Sequence, residues 1–172
     1  SGDVQLALER SAASTARLEA LREEDPDRII WALTHLRALE TLGEASWQEG
    51  DYDGAAASFA LAAAGLAHLL DSDERPRWLL RLTRLRTREG DARFADGDDE
   101  GAADAWTLAL DGSEEPLGRE HLGPLVGLAQ VGELPATDAE ALIAQLEDGA
   151  VLAKGEADAW RAALNLRKSP PV

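Results

Sequence analysis

The sequence contains no cysteine and no methionine, and only 5% of its 172 residues are aromatic. Without cysteine there can be no disulfide, no thiolate nucleophile and no cysteine-ligated zinc or iron–sulfur cluster. Without methionine there is no initiator, so we expect the chain to be a processed or excised piece of a longer protein. A chain of this length can bury roughly two-thirds of its unfolded surface, so one domain or a short repeat array needs no covalent cross-link.

Basic residues are also scarce, with 17 against 33 acidic residues and a formal net charge of -16. Lysine occurs only as Lys154 and Lys168 while alanine is abundant, a bias that indicates a GC-rich bacterial genome. The negative field repels nucleic acid and anionic lipid, so we expect neither as a partner. We find no basic-then-apolar stretch typical of a leader and no apolar run of about 18 residues, and we expect a cytoplasmic protein, with secretion followed by removal of a leader as the open alternative.

The strongest pattern is an internal repeat. The pairs Gly50-Asp51 and Gly97-Asp98 are 47 residues apart, and Gly2-Asp3 precedes the first by 48. Other positions recur at the same spacing: Trp31 and Trp78, Gly43 and Gly90, Ala55 and Ala102, Phe59 and Trp106, and Ala62 and Ala109. Several residue types recurring in one register predict that the chain is built from repeated units.

Each unit is predicted to contain two helices. Apolar residues recur with a period near 3.6 over residues 27–49, and glycine at the following turn ends that helix. A second, alanine-rich helix is predicted over 53–70, and the pair is repeated over 77–95 and 99–111. Residues 3–22 resemble a second helix whose first partner would lie upstream, so the first repeat is expected to be incomplete.

The last part of the chain is less regular. Glycine and proline interrupt residues 117–136, which predicts only short helical pieces. Thr137-Asp138 is predicted to start a helix over 139–146, and Gly149 to end it. Residues 155–164 repeat the pattern around Trp106. We expect 112–172 to be a divergent repeat or a helical cap, since terminal repeats are often atypical.

The residues of the first unit carry a specific resemblance: Leu42-Gly43, Gly50-Asp51-Tyr52, Ala55, Phe59 and Ala62. They resemble the tetratricopeptide repeat, although the units here exceed its 34 residues, as in long-helix variants of that family. The resemblance covers residues 1–111 and implies an all-α, right-handed superhelical stack of antiparallel helix hairpins with a concave groove. The second unit departs from the pattern, with Glu89 in place of leucine and Arg86 at another usually apolar position.

No catalytic or metal-binding motif is present in the sequence. His35, His68 and His121 are far apart and form no helical metal motif. The acidic run at 96–100 lacks the glycine and closing acid of a calcium loop, and is interpreted as a solvated turn near a helix start. We therefore expect no enzyme, cofactor or metal.

The basic residues are unevenly distributed. Residues 75–95 contain seven arginines and two acids, a local charge of +5, whereas 96–120 contain nine acids and one base. Arg77, Arg81, Arg84 and Arg88 are spaced for one face of a helix. They either pair with carboxylates of neighbouring helices and keep the helix soluble, or bind an acidic segment or terminal carboxylate of a partner. Nucleotide or nucleic-acid contact is a third interpretation, which the net charge disfavours.

The resemblance implies that Arg84 and Arg88 line the groove, and Arg37 is the repeat equivalent of Arg84. Trp47 and Phe94 also correspond, at a register that can face the groove. We expect the partner-binding set to be Arg37, Thr41, Glu44, Trp47, Arg81, Arg84, Arg88 and Asp91. The function expected is a non-catalytic scaffold that binds a protein or peptide. The alternatives are a sensing or interaction segment of a larger bacterial transcriptional or signalling regulator, and an enzyme with a dispersed carboxylate site.

Overall fold

A computed structural model of the chain describes residues 29–70, 76–111 and 118–165, together with residues 9, 12–14, 16, 17 and 20. Every regular element within these ranges is helical, and none of the described residues is in a strand. This confirms the all-α prediction. The incomplete repeat expected at 3–22 lies outside the described residues, except for the few helical positions named.

Seven α-helices and one 3₁₀ turn follow one another along the described ranges. They are α1 (Ile29–Glu49), α2 (Tyr52–Leu70), α3 (Pro76–Asp96), α4 (Asp99–Leu110), a 3₁₀ turn (Arg119–His121), α5 (Leu122–Val131), α6 (Ala136–Asp148) and α7 (Lys154–Asn165). Each α-helix packs against the next one in the chain, so that α1 with α2, and α3 with α4, form two consecutive hairpins. The predicted helix bounds in these hairpins are met to within about two residues.

The two hairpins have the same turn, built by their Gly-Asp pairs. Gly50 has φ of 80° and Gly97 has φ of 92°, in the left-handed region where glycine has no Cβ to strain the backbone. Asp51 and Asp98 then each accept a hydrogen bond from the amide three residues later, at 3.1 and 2.9 Å. Each pair therefore ends one helix and caps the next, which is why it recurs in the sequence.

A glycine–aromatic contact holds each hairpin together. A Cβ on Gly43 would lie 2.8 Å from the Phe59 ring, and one on Gly90 would lie 2.5 Å from Nε1 of Trp106. The ring of each second helix is thus pressed against the backbone of the first helix. Phe59 and Trp106 are both 2% exposed, so both rings lie in the core. Trp78 is buried as well, whereas its repeat equivalent Trp31 is half-buried.

Helix α2 lies at the centre of the first core cluster, between α1 and α3. Its length and apolar composition alone would allow it to span a membrane, a property that it shares with buried core helices. Ala55, Ala62, Ala63 and Leu66 on this helix are completely buried by its neighbours. The small side chains of the three alanines let the flanking helices approach α2 closely.

The three C-terminal helices have a core cluster of their own, and Trp106 forms a separate, smaller cluster with Ala102 and with Leu128 of α5. The larger cluster draws on all three helices and includes Leu122, Ile143 and Leu164. Helix α5 is longer than the short pieces predicted, because Pro124 falls in its first turn, where proline is tolerated. Helix α6 begins at Ala136 after Pro135, so the predicted start at Thr137-Asp138 is wrong.

Candidate functional site

A groove of about 710 Å³ lies between α1 and α3, the first helices of the two hairpins. Five arginines line it: Arg37, Arg77, Arg81, Arg84 and Arg88. The other lining residues are Glu40, Thr41, Glu44, Phe59, Leu80 and Leu85. Five arginines and two glutamates give the lining a formal charge of +3, opposite in sign to the chain as a whole.

The spacing of charged residues on α1 and α3 explains how they reach the groove. On α3 the four arginines that line the groove recur every three or four residues, while the buried Trp78, Leu85 and Ala92 occupy the face that packs on the core. On α1, Arg37 and Glu44 likewise alternate with buried residues of the first core cluster. The helical period thus separates a charged face from an apolar one on both sides of the groove.

Six of the eight residues predicted to bind a partner lie together in this groove. They are Arg37, Thr41, Glu44, Arg81, Arg84 and Arg88. Thr41 Oγ1 donates to the backbone carbonyl of Arg37 at 2.9 Å, so its hydroxyl hydrogen is used within its own helix. The two remaining residues, Trp47 and Asp91, are not among the groove lining.

Trp47 was predicted to face the groove but packs at the end of the first hairpin. Its ring is half-buried against the first core cluster and meets Tyr52 edge-on, with ring centroids 5.2 Å apart. Phe94, its repeat equivalent, packs on Trp106 with centroids 5.7 Å apart. Both aromatic rings lie beside the Gly-Asp turns, because packing there buries more of their apolar surface than a position in the groove would.

Asp91 is directed towards the core of the second hairpin. Its Oδ1 accepts a hydrogen bond from Nε1 of Trp106 at 3.2 Å. Burial raises the pKa of Asp91 above the usual 3.8, although the Trp106 hydrogen bond and the charge of Arg88 oppose the shift. Asp91 therefore holds Trp106 in position. The structure places the side chain of Asp91 against Trp106 and not in the groove, where it was predicted.

Two ion pairs cross the groove from α3 to α1. Arg81 Nε lies 2.6 Å from Glu40 Oε1, and Arg88 Nη2 lies 2.8 Å from Glu44 Oε1. The first interpretation of the arginine stripe, pairing with a neighbouring helix, thus applies to two of its members. Among the described residues, the other three groove arginines form no ion pair: Arg37, Arg77 and Arg84.

The departures of the second unit from the repeat pattern belong to one buried network. Glu89 is only 5% exposed, and its carboxylate pairs with Arg86 at 2.9 Å and with Arg93 at 3.2 Å. Arg93 also reaches Asp98, at 3.0 Å. Sequence reasoning missed this network, although arginines three residues before and four residues after a glutamate indicate pairing on one helix face.

The helix start at Asp98 is polar and exposed. The amide of Gly101 and the guanidinium of Arg93 both donate to its carboxylate and lower the pKa of Asp98 below the usual 3.8. A cavity of about 100 Å³ adjoins Asp53, Asp96 and Asp98, but Arg93 lines it too and already supplies the positive charge. The acidic run thus caps α4 and pairs with α3.

The three histidines occupy separate environments. His35 is buried on α1, His68 is exposed on α2, and His121 is buried in the 3₁₀ turn, where Nδ1 accepts from the amide of Gly118 at 2.8 Å. Over the ranges that the structure describes, no group of three or more histidine, cysteine or acidic residues is placed to hold a metal ion.

Comparison of the chain with protein-family models, curated proteins and solved structures found no match. The resemblance to the tetratricopeptide repeat therefore stays a prediction from the sequence pattern. The site is characterised by its own geometry, as a groove with a positive lining between two equivalent helices.

Proposed function

We propose that this chain is a non-catalytic protein-interaction module whose groove between α1 and α3 binds an acidic segment of a partner protein. One observation carries the proposal. In a chain of net charge -16, the groove lining has a charge of +3, and Arg37, Arg77 and Arg84 are in no ion pair with described residues.

The groove suits a short peptide in both size and chemistry. Its volume of about 710 Å³ is in the range of ligand-binding pockets. Leu80, which is half-buried, offers apolar surface to a ligand in the groove, whereas Phe59 and Leu85, which also line it, are almost completely buried. Guanidinium groups make bidentate hydrogen bonds to carboxylates, which lysine does less well, and all the basic residues of the groove are arginine.

The repeat architecture supports the same proposal. We infer that the hairpins form a right-handed superhelical stack of tetratricopeptide type, in which the first helices of successive units line the concave surface. The identical turns and the glycine–aromatic contacts of the two hairpins favour this arrangement. Arg37 and Arg84, which are repeat equivalents, would then contact the same partner from facing helices.

The partner must approach a molecule of like charge, so short-range contacts have to dominate. At physiological ionic strength the Debye length is about 8 Å, which screens most of the repulsion from the acidic exterior. The arginine side chains act within that distance once the peptide enters the groove. We therefore expect binding to depend on particular groove arginines rather than on the overall charge.

The test is fluorescence anisotropy with a fluorescein-labelled, C-terminally amidated hexaglutamate peptide at 150 mM salt. Replacing Arg37 and Arg84 by alanine should weaken binding at least about tenfold, since a hydrogen bond to a charged group contributes about 1.5–3 kcal/mol. The melting temperature should fall by no more than a few degrees, because neither side chain is in an ion pair with a described residue.

The control is the variant Arg119→Ala/Lys154→Ala, which removes two positive charges from exposed positions outside the groove. It should bind hexaglutamate as the wild type does, apart from a small change due to net charge. Equal losses in both variants would show that overall charge governs the binding, and unchanged binding by Arg37→Ala/Arg84→Ala would exclude this groove.

A further inference from the structure

The two ion pairs between α3 and α1 occupy part of the groove that a partner would enter. Helices α1 and α3 pack extensively on α2 but not on each other, so Glu40–Arg81 and Glu44–Arg88 bridge the space between them. Glu40 and Glu44 are four residues apart and present two carboxylates from one face of α1. They contact the arginines as the carboxylates of an acidic peptide would.

We propose, on the basis of the function proposed above, that Glu40 and Glu44 are an autoinhibitory device that competes with the acidic partner for Arg81 and Arg88. A partner with one acidic side chain pairs with an arginine that is already available, such as Arg84. A partner with several must displace the two glutamates before it engages the whole stripe. The two glutamates thus reduce the affinity for highly acidic segments, so that a higher concentration of such a segment is needed for binding.

The exposure of the bridging side chains makes the exchange feasible. Arg81 and Glu40 are 30% and 29% exposed, and Arg88 and Glu44 are 45% and 42% exposed. A partly exposed pair contributes little net stability, a factor of about 1.4 to 5 in an equilibrium constant. The carboxylate of a displaced glutamate can also be hydrated, because both glutamate side chains are already partly exposed to solvent. Glu89, which is 5% exposed, could not be released without a large desolvation penalty.

Neutralising the two glutamates tests the proposal. The variant Glu40→Gln/Glu44→Gln should bind the labelled hexaglutamate roughly 2- to 30-fold more tightly than the wild type, which is the factor for releasing two such pairs. A peptide of the same length with one glutamate among glycines should gain less, because it needs only an arginine that is already available. If the glutamates instead position the arginines for binding, the variant will bind hexaglutamate more weakly.

The matched control is Asp104→Asn/Glu133→Gln, which removes the same charge from exposed sites outside the groove. It should change hexaglutamate binding by less than about twofold, since distant charges are screened. A glutamine variant that binds no better than this control would overturn the autoinhibition while leaving the proposed function in place, provided that the wild type binds. Failure of both the wild type and the glutamine variant to bind would overturn both proposals, whereas binding by the glutamine variant alone would support autoinhibition.

Discussion

Gly90 is the position where a single methyl group should do most damage to the second hairpin. A Cβ there would lie 2.5 Å from Nε1 and 2.6 Å from Cδ1 of Trp106. The ring has little room to retreat, because a Cβ on Gly127 of α5 would meet it at 2.5 Å as well. Its Nε1 is also tied to Asp91 at 3.2 Å. Gly90→Ala must therefore displace α3, the ring, or both.

Two opposing contributions determine the size of the effect. Replacing glycine by alanine within a helix stabilises it by about 0.8–1.0 kcal/mol. Overpacking a tight core costs about 1–3 kcal/mol, and the contacts on both faces of Trp106 place this case near the upper end. We expect a net loss of about 1–2 kcal/mol of unfolding free energy. For a chain of this size that corresponds to a melting temperature about 2–8 °C lower.

Thermal unfolding monitored by circular dichroism measures the effect, with Gly155→Ala as the control. Gly155 is also helical, but a Cβ on it would meet nothing within 4 Å, so alanine there should be neutral or stabilising. In a double-mutant cycle, Gly90→Ala should cost less stability in a Trp106→Phe background than in the wild type, because the smaller ring leaves room for the methyl group. Unfolding of Gly90→Ala at or above the temperature of Gly155→Ala would show that Trp106 leaves room for a methyl group at position 90.

Two further predictions concern charged side chains of the second hairpin. Burial raises the pKa of Asp91, so the wild type loses stability as the pH rises above the ordinary aspartate pKa of 3.8, and Asp91→Asn should gain stability relative to the wild type over that rise. The pKa of Asp98 is lowered, so its contribution to stability is present above 3.8 and is lost as the pH falls below that value. Asp98→Asn should therefore be less stable than the wild type at neutral pH, and the difference should shrink in acid. Identical pH profiles of unfolding for both variants would contradict this assignment. In the buried network, Arg86→Leu/Glu89→Leu should be neutral or stabilising by about 1–4 kcal/mol in urea unfolding, as for other buried ion pairs replaced by apolar residues. A substantial loss of stability in that double variant would show that this pair contributes more than leucine packing does.

Helix positions and turn chemistry could be predicted because they depend on neighbouring residues. Gly50-Asp51 and Gly97-Asp98 end one helix and cap the next through backbone conformation and contacts within three residues. The helical period also correctly predicted the stripe that contains Arg81 and Arg84. Helix starts without such a local cap were less reliable, as Thr137 shows, since Pro135 precedes the actual start.

The side-chain partners across the groove could not be predicted from sequence. Arg81 and Glu40 are 41 residues apart, and their contact depends on the distance at which α2 holds α1 from α3. The environments of Trp47 and Asp91 could not be predicted either, because the helical register of each residue allows its side chain to face either the groove or its own hairpin. Only the packing of Tyr52 and Trp106 decides which environment each side chain enters.

The order of the amino acids is enough to predict that this protein is helical, that its units repeat every 47 residues and that arginines follow one face of α3. These features follow from local backbone preferences and helical periodicity, which act over a few residues. The tertiary structure alone decided which arginines pair with α1 and which remain available in the groove. That distinction depends on the distance between α1 and α3, which is set by the packing of both helices on α2, including Phe59 of α2 against Gly43 of α1.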